Sequence, residues 1–120
     1  MPVTDATQGP LSPVDFHVLL VLAGEDLYGY AILKAIDGES RGVVSPEIGS
    51  LYRVLGRLMA LGYVDEVDAP AKAPDVHRGR ARRYYRLTPT GRLALKQDAR
   101  RLEDAVAIAR DRRLLPEPGR

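Results

Sequence analysis

From Val14 to Ala23 the run VDFHVLLVLA is apolar on nearly every side of a helical wheel, which predicts a helix at the centre of a fold. Ser12 before Pro13 supplies an N-cap and a first-turn proline, with Asp15 as an acid three residues after the cap. A Gly24-Glu25-Asp26 turn leads to a second helix from about Leu27. Ile32, Leu33 and Ile36 face inward in it, and Gly38 stands where it would end. GESRG reads as a loop and Val43-Val44 as a short strand. A third helix starts between Pro46 and Gly49 and runs to Gly62, with Leu51, Leu55 and Leu58 on one stripe. Gly49 and Gly56 interrupt it, and an interior glycine costs about 1 kcal/mol relative to alanine.

After Gly62 the period becomes extended. YVDEV (63–67) and RRYYRL (82–87) are strand-like runs joined by a polar segment with two prolines and a glycine, which predicts a hairpin. Thr88-Pro89 repeats the cap-plus-proline signal and opens a long helix to about Leu114. In that helix Leu95, Ala99, Leu102, Val106 and Ala109 alternate spacings of four and three, a short heptad seam. Such a stripe packs either on its own domain or on a second copy. The second reading is favoured because three helices and a hairpin already form a closed unit. The expected organisation is an N-terminal arm (1–11), a winged helix-turn-helix (12–90), a dimerisation helix (91–114) and a tail (115–120). The fold class is mostly α with a small β-hairpin.

Composition narrows the function. In 120 residues, 45% apolar and 28% charged, there is room for one modest core and no cysteine for a disulfide or thiolate metal site. The first basic side chain is Lys34, so no secretory signal is expected. The longest apolar run, Val18 to Ala23, is too short for a membrane span. A soluble, cytoplasmic protein is the expectation. Net charge is +2, yet RGRARRYYR (78–86) carries five arginines and no acid, leaving −3 for the rest of the chain. A positive field confined to one place suits a polyanionic partner.

Helix, helix, helix, hairpin is the order of a winged helix-turn-helix, whose third helix enters the DNA major groove. On the wheel Leu55 and Leu58 lie within about 40° of Leu51, whereas Gly49, Ser50, Arg53, Arg57 and Ala60 cluster opposite. Arg53 and Arg57 offer planar forks for guanine edges or phosphates, and Ser50 can join the helix-start amides at a phosphate. Tyr52 stands at the border of the two faces, as a core residue or as one whose hydroxyl reaches a phosphate. In the second strand Tyr85 and Leu87 are expected inward with Val64, and Arg82, Tyr84 and Arg86 outward. Arg78, Arg80 and Arg82 are the candidates for phosphate or minor-groove contact. Arg86 is expected to pair with Asp65 or Glu66. Gly56 lies towards the exposed side, where missing bulk serves either close approach of DNA or packing against a neighbouring helix.

These residues resemble the PadR-type family of bacterial transcriptional regulators. LYGYAIL (27–33) is similar to that family's Gly-Tyr-x-Ile helix, GSLYRVLGRLMALGYV (49–64) to its recognition segment, and RRYYRLTPTG (82–91) to its wing strand. The resemblance implies a homodimeric repressor that binds double-stranded DNA at an inverted-repeat operator and is released by a small molecule, commonly aromatic or hydrophobic. It maps Ser50, Tyr52 and Arg53 onto recognition-helix positions that face DNA, and the last helix onto the dimerisation helix. Ser50 stands where the family usually has Thr, and SPEIG leaves the helix start open by two residues. Without tryptophan, a pocket of stacked indoles is not available for an effector.

Catalysis is not expected. His17 and His77 have no carboxylate at ligand spacing, and there is neither a glycine-rich phosphate loop nor a nucleophile elbow, so no metal or cofactor is predicted. The rival readings are a winged helix that binds protein, which would carry exposed apolar anchors where these arginines stand, and a MarR-type regulator, which differs in where its dimer helices lie.

Overall fold

The computed structural model describes residues 9–70 and 83–118. Helix α1, Pro13–Gly24, is capped as its sequence predicts: the Asp15 amide donates to Ser12 Oγ at 3.1 Å. It passes through the middle of the molecule, with Val18 and Leu19 fully buried, and packs on α2 (Gly29–Glu39), α3 (Ile48–Ala60) and the long α4 (Pro89–Asp111).

Among the described residues the sheet has three antiparallel strands, not two. Strand β3, Tyr84–Leu87, lies between β2, Val64–Val67, and a two-residue β1, Leu27–Tyr28. Val64 faces Leu87 across one edge, and Tyr28 faces Tyr84 across the other. The residues expected to open the second helix therefore extend first, because β3 has a free edge to satisfy their backbone groups. The strand expected at Val43-Val44 does not form. Val43 is 85% exposed, and the Val44 backbone is tied to the end of α2, its N–H donating to Ser40 Oγ and its carbonyl accepting from the same hydroxyl. The third strand also corrects the expectation for Tyr84: its ring packs 5.5 Å from that of Tyr28 and is buried, as Tyr85 and Leu87 are.

Helix α2 runs one residue past Gly38 and closes at Arg41 and Gly42. The Gly42 amide reaches back to the Asp37 carbonyl at 2.9 Å, and Arg41 takes the left-handed position at φ 55°. Helix α3 ends with the same motif built on glycine. Gly62 has φ +79°, Tyr63 N–H donates to the Leu58 carbonyl, and Gly62 N–H donates to that of Met59. Leu51, Leu55 and Leu58 are fully buried, as their stripe predicts.

The start of α4 is locked to the end of α3. Thr88 Oγ1 accepts from the Gly91 amide and donates to the Gly62 carbonyl at 2.6 Å, while the Thr88 amide donates to the Tyr63 carbonyl. Gly91 lies so close to that same carbonyl that a Cβ there would overlap it, which is why this turn carries glycine. The opening turns of α4 belong to the domain core, with Ala94 and Leu95 buried against it. Leu95 is thus removed from the expected intermolecular seam, because it is itself buried in the domain core.

Candidate nucleic-acid interface

The outer face of α3 is assembled from Gly49, Ser50, Tyr52, Arg53, Gly56, Arg57 and Ala60, all exposed except the half-buried Ser50. It faces outward because the leucine stripe on its other side is consumed by the core. Near its N-terminus Arg53 Nη2 donates to Ser50 Oγ at 3.3 Å, one helical turn back. Among the described residues no carboxylate pairs with Arg53. Its guanidinium therefore keeps donors for a partner outside the chain.

Tyr52 is 46% exposed and leans across the first turn of α2, where its hydroxyl covers Gly29. A Cβ on that glycine would be driven into the phenol oxygen. Tyr52 is thus not a core residue: its ring packs on the edge of the fold and the residue remains partly accessible.

Arg57 differs from the expectation. Its two terminal nitrogens form a bidentate fork on Asp15, Nη2 to Oδ1 at 2.7 Å and Nη1 to Oδ2 at 3.0 Å. Asp15 is buried, and the bond to it raises the Arg57 pKa above its usual value; desolvation pulls the other way and the charge of Asp15 adds to the rise. The guanidinium expected to be offered outward is engaged within the chain. Asp15 was legible only as a helix-start acid, and no local spacing signals a partner 42 residues away.

Arg86 is likewise paired, but with Asp26 and not with Asp65 or Glu66 as expected. Its Nε and Nη2 reach Asp26 Oδ2 at 3.2 and 2.9 Å, and these bonds raise its pKa. Asp26 precedes β1, so the unforeseen strand brings this carboxylate across from the arginine. Glu66 instead takes Arg83, at 3.7 Å. Burial pushes the Tyr85 phenol above its ordinary value, helped by Glu66 and Tyr52 and opposed by Arg83. The wing-loop arginines Arg78, Arg80 and Arg82 lie outside the described residues.

Along α4 the seam positions separate. Leu95 is in the core, Ala99 is exposed, Leu102 and Val106 are 36% and 37% exposed, and Ala109 is half-buried. At the transition Asp98 is buried and its Oδ1 accepts from Arg101 Nε at 3.0 Å. Among the described residues no group of three His, Asp or Glu could hold a metal ion, and no helix is long and apolar enough to cross a membrane.

Three comparisons bear on this arrangement. A family model described as the transcriptional regulator PadR-like family matches residues 18–97. The transcriptional regulator Rv3488 of Mycobacterium tuberculosis is 37% identical over 91 residues, covering 76% of this chain and 77% of its own length. Among solved structures, a PadR family transcription regulator from Clostridium difficile superposes with a TM-score of 0.67 at 21% identity, covering 83% of this chain and 97% of that one. The Bacillus subtilis PadR, solved in complex with operator DNA, superposes at 0.58 with 20% identity, over 72% of this chain and 46% of that one.

Proposed function

This chain belongs to the PadR-like family of transcriptional regulators, and from that premise we propose that it represses transcription as a cytoplasmic homodimer bound to an inverted-repeat operator. The observation that carries the reading is the outer face of α3, where Arg53 and Ser50 stand linked and no carboxylate among the described residues takes up the guanidinium. Arg53 is the base reader in this proposal, because its planar fork matches guanine O6 and N7. Ser50 and the first amides of α3 hold a phosphate, and Tyr52 flanks them. Arg78, Arg80 and Arg82 supply wing contacts. That the Bacillus subtilis PadR, a chain of the same fold, was solved in complex with operator DNA supports operator DNA as the partner.

The dimer is proposed through Ala99, Leu102, Val106 and Ala109, on the part of α4 that continues beyond the domain core. Two copies related by a twofold axis would set their α3 helices about 34–36 Å apart, in successive major grooves. The test is binding to palindromic fragments from the chain's own upstream region across a salt series. The expected result is a steep linear fall in log affinity with log salt, roughly 0.9 per phosphate contacted. A flat response, or equal affinity for half-site and palindrome, overturns the proposal.

A further inference from the structure

Arg57 and Arg53 are one helical turn apart on α3, and both would be free cations on its outer face but for Asp15. That carboxylate sits in the first turn of α1, with only 8% of its side chain exposed, and both its oxygens are taken by Arg57. A buried carboxylate deprived of its partner is costly, so the pair is strongly held from the Asp15 side even though the Arg57 side chain is 52% exposed. Two parallel bonds fix the orientation of the guanidinium plane as well as its distance, which a single ammonium contact does not.

The remaining α1–α3 packing is apolar and non-directional. Leu51, Leu55 and Leu58 set how closely α3 sits on the core, and the Thr88 bonds to Gly62 and Tyr63 hold the segment that follows it. Among the described residues the Asp15–Arg57 fork is the one side-chain hydrogen-bonded link between these two helices. It grips α3 one turn beyond Arg53. The charge follows from the same contact: Asp15 neutralises Arg57, and among the described residues no carboxylate compensates Arg53.

The geometry points to Asp15 and Arg57 as a positioning pair for DNA recognition: Asp15 withholds the Arg57 guanidinium from phosphates and fixes the roll of α3, so that Arg53 and Ser50 meet the base edges. The inference rests on the DNA-binding reading above and adds a source of specificity to it. A phosphate contact raises affinity for every sequence alike, so keeping Arg57 out of that set lowers non-specific binding while its fork sharpens alignment at the operator.

The experiment measures salt slopes and the operator-to-random affinity ratio for the full chain and for Asp15→Asn, Arg57→Ala, Arg57→Lys and the neutral pair Asp15→Asn/Arg57→Ala, with thermal midpoints for all. If the unaltered chain shows no salt-dependent DNA binding, the functional reading itself fails. Given binding, Arg57→Ala is expected to leave the slope unchanged while the ratio falls roughly tenfold, the lower range of what one bidentate base contact discriminates. Arg57→Lys should keep the slope and lose part of the ratio. Asp15→Asn should steepen the slope by about 0.9, one released cation finding a phosphate, and raise affinity for random DNA. The neutral pair should return the slope to its original value, and its loss of thermal stability should be smaller than the sum of the losses from Asp15→Asn and Arg57→Ala. A slope shallower by about 0.9 in Arg57→Ala would show that Arg57 leaves Asp15 for a phosphate, and strictly additive thermal losses would show that the pair does not form; either result overturns the inference.

Discussion

Two glycines of this chain look alike in sequence and differ in what surrounds them. Gly56 is in the interior of α3, and among the described residues a Cβ built there meets nothing within 4 Å, so neither the core nor a neighbouring helix among them requires it. Gly56→Ala is accordingly expected to stabilise the free protein by about 1 kcal/mol, the helix-propensity difference, and to weaken DNA binding by holding the α3 backbone off its partner. Gly91→Ala is expected to do the opposite for stability. Its Cβ would overlap a backbone carbonyl that is itself hydrogen-bonded to Thr88, so relief demands a shift of α4 and a loss of about 3 kcal/mol, the upper range for overpacking. Denaturant melts of the two variants check both signs, and a destabilised Gly56→Ala would mean that the monomer itself needs this glycine. Gly29 differs from Gly91 in that its obstacle is the end of the partly exposed Tyr52 side chain, which can move aside. The motifs containing Gly29, Tyr52 and Gly91 were visible in the sequence, but the backbone contact that makes glycine necessary at 91 was not, because it lies between residues distant along the chain.

At the level of elements, the starts of α1 and α4 were readable because Ser12-Pro13 and Thr88-Pro89 carry their own capping chemistry, whereas α2 opens at Gly29, two residues after the expected start, and neither it nor α3 has a side-chain cap. The helix ends were less readable. Gly62 ends α3 as its sequence predicts, whereas α2 passes Gly38 and closes with Arg41 in a left-handed conformation. A non-glycine residue costs about 1–2 kcal/mol there, against about 0.5–1 kcal/mol that glycine loses through its freer unfolded chain. Arg41→Gly is therefore expected to raise stability by about 0.5–1 kcal/mol, read as a higher denaturation midpoint with unchanged slope. A lower midpoint would mean that the Arg41 side chain contributes more than its backbone costs. Strand β1 escaped a local reading for another reason. Leu27-Tyr28 is too short to show a period of two, and it becomes a strand only because β3 offers it an edge.

For the whole molecule, α4 serves two structural environments in one helix. Leu95→Ala is expected to cost about 2–5 kcal/mol as a core truncation, whatever the protein concentration. Leu102→Glu combined with Val106→Glu should leave the fold intact, since both side chains are more than a third exposed, and should yield a monomer with weakened operator binding. Light scattering during gel filtration, with circular dichroism for folding, separates the two outcomes; a double variant that stays dimeric would move the proposed interface elsewhere. The helical order, the buried leucine stripe of α3, the caps and the family were all determined by sequence alone, because periodicity, capping and motif spacing act over a few residues. Tertiary structure decided which charges remain available. Arg57 is held by Asp15 and Arg86 by Asp26, Arg83 only approaches Glu66 at 3.7 Å, and among the described residues no carboxylate pairs with Arg53. A count of arginines cannot distinguish these, since an ion pair depends on which carboxylate folding brings within reach.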